Sequence, residues 1–458
     1  DEAIAWNDRE TGEGGDKETT TEEKEAPIKE QMTDFIASQL IKGVFFKNIT
    51  EARKTVSEKF GTPIKPGTQE AKDLDEAIEL AGVIVARRSI KIGRKNNLPV
   101  NEIFDVLVEL QSQLPNLSVR TSTSVQNQAY STPLPIAYLA SELAGIDYLT
   151  TVYEPSAGNG ALLIGADKKK SVVNEMNEER ADNLRSQGYQ HVYQKDGTII
   201  DISQKRDVVI GNPPFGAVKD DNGVSKTWKI NDQYTTTQVD HAMVFKALEA
   251  MKNGGRAVFI VGSVSDKSTN PDTRKILYRA KSKVEFYKTL FNGYNVVDHF
   301  TIAGKLYSQQ GAAWPVDIIV IDGKGGNNRT LPGAVPPIYL STIEEVRGKL
   351  NEITRMDDTG GGQTGTGVRS GEDLAGQGDN GTGVSTSPDG TSTETDRPGR
   401  GPSEAGTTPG GETLGSGNTG RDGGTKPEDS SDGSTPGERP ISGLPGDDGS
   451  GGTPSDKE

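Results

Sequence analysis

Between residues 31 and 125 apolar residues recur at three- and four-residue steps. The runs MTDFIASQLIKG, ITEARKTVSEKFG, EAKDLDEAIELAGVIVARRSI and VNEIFDVLVELQSQL all carry this spacing, which is the period of an amphipathic helix. A helical extension over 31–125 is therefore predicted. From Thr150 the period changes. TTVYEP, KSVVNE, HVYQKD, DVVIGN, RAVFIVG, NVVDHFTI and VDIIVIDG are short β-branched runs, with helical stretches such as EERADNLRSQ and DHAMVFKALEAMKN between several of them. Alternation of this kind predicts an α/β fold, a parallel doubly wound sheet whose ligands gather at the C-terminal ends of the strands. A short helical region is expected over 331–355.

Composition sets the ends apart. Of 51 Lys+Arg and 66 Asp+Glu, residues 1–30 hold 4 and 11 and residues 356–458 hold 7 and 19, leaving 40 and 36 in 31–355. The middle is thus mildly basic in a chain whose net charge is −15. Residues 356–458 are Gly, Ser, Thr, Pro, Asp and Glu with almost no aliphatic side chains, too little apolar surface to offset chain entropy. They are expected to form a disordered low-complexity tail or linker, either a solvating spacer or a tether to a partner or further modules; residues 1–30 are expected to be a disordered acidic N-terminus. Cysteine is absent, and His191, His241 and His299 are nowhere at ligand spacing, so no metal is expected. No apolar run reaches membrane-span length. A cytoplasmic location without membrane contact is expected.

The first strand ends in EPSAGNGALLI, with Glu154 at the tip and Gly158 and Gly160 set for a tight turn into a helix. A dinucleotide fingerprint wants a third glycine where Leu163 stands, so the turn suits a ligand without a pyrophosphate. Glu175, ending the second strand, is placed to accept from ribose hydroxyls, and Asp196, after the third, from an adenine amino group. The fourth strand delivers Asn212-Pro213-Pro214-Phe215. An amine on a conjugated ring is a poor nucleophile because its lone pair is delocalised. Two acceptors, the Asn212 side-chain oxygen and the Pro213 carbonyl, can draw that nitrogen toward tetrahedral geometry, while the prolines hold the carbonyl in place and Phe215 offers a stacking face.

Over residues 126–323 these motifs, in this order, resemble the S-adenosylmethionine-dependent amino-methyltransferases, in particular the N6-adenine DNA methyltransferases whose cofactor motifs precede the catalytic one. The resemblance implies a Rossmann-like class I methyltransferase domain over 126–330, with the helical extension before it and the tail behind. It implies S-adenosylmethionine as cofactor, Glu154 meeting the methionine ammonium, and Pro155, Ala157, Gly158 and Gly160 forming the loop around that end. QAYSTPLPIAYLA is similar to the family's upstream segment, so Tyr130, Ser131, Thr132 and Pro133 are carried over as cofactor contacts, and Asn212 borders the cofactor as well as the substrate. KLYSQQGAAWPVDIIVI matches the place of a second aromatic against the flipped base, which implies Tyr307. Gly197 stands where relatives often stack an apolar residue on the cofactor adenine, so Met176 or Pro213 is expected to substitute.

The acidic front and the tail also look like methyltransferase modules of large phage and plasmid antirestriction proteins, some of which carry helicase domains. That likeness implies a host cytoplasm, or a virion, and DNA as partner. The insert KDDNGVSKTWKINDQYTTT is expected to form a loop over the substrate, with Trp228 either a wedge in a base stack or a core anchor. Arg87, Arg88, Lys91, Arg94 and Lys95, and Arg274, Lys275, Arg279, Lys281, Lys283 and Lys288, form two basic clusters that could neutralise phosphates or face solvent. Transfer to adenine N6 in DNA with relaxed sequence choice is the function expected. Transfer to a protein glutamine or an RNA base, and a catalytically silent DNA-binding or packaging scaffold, are its rivals.

Overall fold

The computed structural model describes residues 27–117, 131–219, 222–265, 269–310 and 314–359. Four helices come first: α1 (Ile28–Ile41), α2 (Ile49–Phe60), α3 (Gln69–Lys95) and α4 (Val100–Gln113). The starts of α2 and α3 are set locally, since the side chains of Asn48 and Thr68 accept from the backbone N–H of Glu51 and Ala71. Helix α5 (Leu134–Leu143) follows Pro133, whose fixed φ suits a helix entry.

The sheet then begins with β1 (Val152–Glu154), β2 (Ser171–Asn174), α6 (Glu178–Ser186), β3 (His191–Tyr193) and β4 (Arg206–Gly211). An insert carrying the hairpin β5 (Trp228–Lys229) and β6 (Thr235–Thr236) leads to α7 (Val239–Leu248) and β7 (Met251–Gly262). After α8 (Pro271–Leu277) and α9 (Lys281–Gly293) come β8 (Tyr294–Ile302), β9 (Val316–Lys324), β10 (Ile338–Leu340) and α10 (Ile343–Thr359). Among the described residues no helix is long and apolar enough to cross a membrane.

Eight strands form one sheet in the order β3-β2-β1-β4-β7-β9-β8-β10, the Rossmann-like α/β architecture expected. The chain steps outward from β1 to β3, then returns to lay β4 on the other side of β1. That reversal opens a crevice beyond the C-terminal ends of β1 and β4, where ligands of doubly wound sheets bind. The sheet is mixed rather than parallel throughout: β9 runs antiparallel to both β7 and β8. Among the described residues the connection from β8 contains a 3₁₀ stretch, Gly304–Gln310, and no crossover helix, and parallel neighbours need such a crossover.

Strand residues alternate between two buried clusters, as a period of two requires. Val208, Ile210, Val258, Ile260, Ile318 and Val320 face the cluster that holds Ile36, Leu74, Ile78 and Phe104 of the front helices. Val209, Phe259, Val261, Ile319 and Ile321 face α7 and α9 through Val244, Leu248, Phe286 and Leu290. The helical extension therefore shares its core with the sheet. Each such side chain contributes about 1.5–3 kcal/mol by burial, so the front helices and the sheet are energetically one body.

Three arginines of the basic clusters fasten this body together, which neither phosphate contact nor a solvated face describes. Arg87 donates to the Ala166 carbonyl at 2.8 Å and to the Tyr189 hydroxyl. Arg94 donates to Gly165 and Ile146 carbonyls, both at 3.0 Å, and to Glu142 at 2.7 Å. Arg274 is buried, donates to the Pro337 carbonyl at 2.8 Å and stacks over Tyr339.

Candidate active site

The end of β1 places Glu154 in the crevice. Its side chain is 1% exposed and its Oε2 is buried with no hydrogen-bond partner among the described residues. Burial first, and the charge of Glu175 second, push this carboxyl well above its ordinary range. An uncompensated buried carboxylate costs several kcal/mol, so the ionised form is disfavoured unless a partner reaches it.

The glycine turn follows. Gly158 and Gly160 both take positive φ, 54° and 84°, and a Cβ at Gly160 would lie 3.0 Å from the Tyr189 hydroxyl, so conformation and space both require glycine. The turn leads into a single 3₁₀ turn, Ala161–Leu163, where the sequence predicts a helix. A longer helix starting here is absent, and with it the helix-terminus contact to an anion.

The strand tips are stitched by a residue that the motif reading misses. Asn174 Nδ2 donates to the carbonyls of Pro155 and Lys195, both at 2.9 Å, and its Oδ1 accepts from Lys195 N–H at 3.0 Å. The signal was a polar residue inside the β-branched run SVVNE. Glu175 accepts from the N–H of Gly158 and of Asn177, both at 2.8 Å, which fixes its carboxylate beside the glycine turn. Asp196 Oδ1 accepts from Thr198 N–H at 2.9 Å and from its hydroxyl at 2.7 Å. Met176 is 67% exposed next to Glu175. Gly197 is buried, and a Cβ there would come within 2.9 Å of both the Pro155 carbonyl and Met243 Cε, so there is no room for a side chain at this position.

One wall of the crevice comes from α3. Glu79 and Val83 line it together with Ser131, Thr132, Glu154 and Asn212. Arg180 binds Glu76 through Nε at 3.1 Å and Nη2 at 2.7 Å, and reaches Glu79 at 3.2 Å. Ser131 donates to Glu79 at 2.7 Å. Burial, the largest single influence, would raise the Glu76 carboxyl; the Arg180 charge, the hydrogen bonds from Arg180 and Asn159 and the charge of Lys29 together outweigh it and hold the group below its ordinary value. The sequence offered a hint in Glu76 and Glu79, two acids three apart in the otherwise apolar EAIELAGVIVA.

The catalytic-type motif leaves β4. Asn212 Nδ2 donates to Thr132 Oγ1 at 2.8 Å, and its Oδ1 is buried with no partner among the described residues. Pro213 is buried, Pro214 and Phe215 are half-buried, and Phe215 packs on the cluster shared by the front helices and the sheet. Pro133 is buried one residue beyond Thr132, and Tyr130 lies outside the described residues. The structure thus brings Ser131, Thr132, Glu154, Ala157, Gly158 and Asn212 around one crevice, with Glu175 tied to its edge.

Two aromatics lie elsewhere than on an open substrate face. Tyr307 is 1% exposed within the core, and its buried hydroxyl has no partner among the described residues. Trp228 donates from Nε1 to Thr198 Oγ1 at 3.1 Å, which ties it to the loop carrying Asp196.

Residues 136–292, from within α5 to within α9, match the family Eco57I restriction-modification methylase. No curated protein matches the chain. Among solved structures, a chain of a type I restriction–modification system is 13% identical, with 73% of this chain and 70% of that one covered at a TM-score of 0.38. The M protein of the type I restriction enzyme EcoKI is 14% identical, with 57% and 64% covered at 0.33. An rRNA methylase from Streptococcus thermophilus is 14% identical, with 42% and 97% covered at 0.27.

Proposed function

We propose that this protein transfers a methyl group from S-adenosylmethionine to the N6 amine of adenine in DNA. The observation that supports this best is the aim of Asn212. Its amide nitrogen is bound by Thr132, and its oxygen is left buried and unpartnered in the crevice that also holds the unpartnered Glu154 carboxylate. Two covered acceptors lacking donors cost free energy in the free protein, and a ligand that brings an ammonium and an NH₂ group satisfies both. When bound, the cofactor supplies a methyl group already activated on a sulfonium.

The chain's own residues do the rest. Glu154 holds the ammonium, Glu175 the ribose hydroxyls and Asp196 the adenine amine of the cofactor. Asn212 Oδ1 and the Pro213 carbonyl would accept hydrogen bonds from the two N–H groups of the target amine and turn its lone pair out of the ring plane, so that an N–CH₃ bond would form as the S–CH₃ bond breaks, with S-adenosylhomocysteine leaving and one amine proton lost to solvent. Phe215 stacks on a base flipped out of the duplex, because a paired amine is out of reach. Positioning supplies most of the rate.

We extend the reading to relaxed sequence choice, with protection of a phage or plasmid DNA against restriction as its use and the tail as a tether to further modules such as a helicase. Sequencing that reports N6-methyladenine in DNA from expressing cells tests it, and a single motif of four or more fixed bases contradicts it. The reading as a whole is tested by incubating the protein with methyl-labelled S-adenosylmethionine and DNA, RNA or protein in parallel. Label recovered as N6-methyl-2′-deoxyadenosine from DNA supports it; label confined to RNA or protein, or no transfer, overturns it.

A further inference from the structure

The insert after Phe215 spans the distance between two parts of the site. Its base is pinned beside the catalytic motif, where Val239 N–H donates to the Gly216 carbonyl at 2.8 Å and Ala217 bridges Gln238. Its hairpin reaches the loop after β3. There Trp228 Nε1 donates to Thr198 Oγ1 at 3.1 Å, and the same hydroxyl donates onward to Asp196 Oδ1 at 2.7 Å. The hydroxyl thus accepts from the indole and donates to the carboxylate, which joins Trp228 to Asp196 through one atom.

The surroundings suit a flat ring. Met176, Tyr193 and Ile199 remain 67%, 41% and 70% exposed; Met176 follows Glu175 just after β2, Tyr193 ends β3, and Ile199 lies in the loop that carries Asp196 and Thr198. Single exposed apolar side chains mean little, but three on the segments that carry Glu175 and Asp196, with an indole bonded to the Asp196 loop, leave apolar surface near those two acids. Gly197 offers no platform of its own, because any Cβ would press on the Pro155 carbonyl and Met243.

We propose that Trp228 belongs to the cofactor site: its indole walls the pocket of the cofactor's nucleobase, so the insert that starts at Phe215 is anchored at its tip by the residues that hold the cofactor. This rests on the reading of S-adenosylmethionine as cofactor given above. Cofactor and DNA then favour each other's binding, because both act on one insert, and such coupling is reciprocal.

The test uses the full chain, with S-adenosylhomocysteine and adenosine as calorimetric probes and a 2-aminopurine oligonucleotide as the cofactor-free DNA probe. Trp228→Ala should weaken both nucleoside probes roughly tenfold or more, the scale of a lost aromatic stack, and leave cofactor-free DNA affinity unchanged. Adenosine lacks the methionine end, so equal losses for the two probes place the effect at the nucleobase. Trp228→Phe keeps an aromatic ring and guards against a folding defect: the change in tryptophan emission on adding S-adenosylhomocysteine should disappear in it, although two other tryptophans remain. Unchanged nucleoside affinity in Trp228→Ala, with DNA affinity reduced, overturns the inference and leaves the cofactor reading standing. Wild-type protein that fails to bind S-adenosylhomocysteine overturns both.

Discussion

Asn212 and Thr132, 80 residues apart in sequence, meet through a 2.8 Å bond from Nδ2 to Oγ1. The bond decides which end of the amide faces the crevice: with the nitrogen engaged, Oδ1 is the end that a substrate amine meets. Thr132→Val removes the bond and keeps the shape. Losing one neutral hydrogen bond is worth about 1 kcal/mol, so kcat should fall roughly five- to tenfold while S-adenosylhomocysteine affinity stays within a few fold. Steady-state kinetics beside calorimetry checks this, and an equal loss in both quantities would mean that Thr132 serves the cofactor alone.

Glu154 gives the site a pH dependence. Its folded-state carboxyl sits well above the ordinary 4.5, through burial and then Glu175. A raised carboxyl contributes stability that is fully present below the unfolded value and lost as pH rises through the folded one. Glu154→Gln should therefore be more stable than the wild type without cofactor, by a gap that opens as pH climbs above 4.5. An ammonium needs the ionised form, so wild-type cofactor affinity should rise with pH over that same window and then level, and the variant should show neither the affinity nor the rise. Thermal unfolding and calorimetry across pH measure the two.

Much of the fold was legible because it rests on local periodicity. The runs ITEARKTVSEKFG and VNEIFDVLVELQSQL become α2 and α4 almost residue for residue, since apolar spacing and caps act within a few residues. The run DHAMVFKALEAMKN was legible only in part: α7 stops at Leu248 and β7 begins at Met251, where pairing of Met251 with Arg206 on β4 overrides helical propensity. The antiparallel course of β9 has no local signature, because VDIIVIDG reads the same in either direction. At the site, Glu154 and Asn212 could be found from motifs. Glu79 is marked only as an acid in an apolar run, because its place in the crevice depends on how α3 packs against the sheet. The structural use of Arg87, Arg94 and Arg274 could not be found this way, since a run of basic residues does not say which side chains turn inward.

Arg180 is the pivot between α3 and the sheet. It is 9% exposed in its side chain and holds Glu76 and Glu79 together. Arg180→Ala leaves two largely covered carboxylates without their cation, a change that typically costs about 3–5 kcal/mol. The denaturant midpoint should fall accordingly, with cofactor affinity lost as Glu79 and Ser131 shift. A midpoint within error of the wild type would show that the pair is solvated in solution.

Asn212 is the residue on which the chemistry turns. The most direct measurement is single-turnover methyl transfer to DNA by wild-type protein and Asn212→Ala, with S-adenosylhomocysteine affinity determined on the same samples. The expected result is transfer to adenine N6 in the wild type, transfer reduced by about 10²-fold or more in the variant, as for loss of a group that aligns the reacting atoms, and cofactor affinity within a few fold. Near-normal transfer by Asn212→Ala would contradict the claim that this buried oxygen positions the target amine.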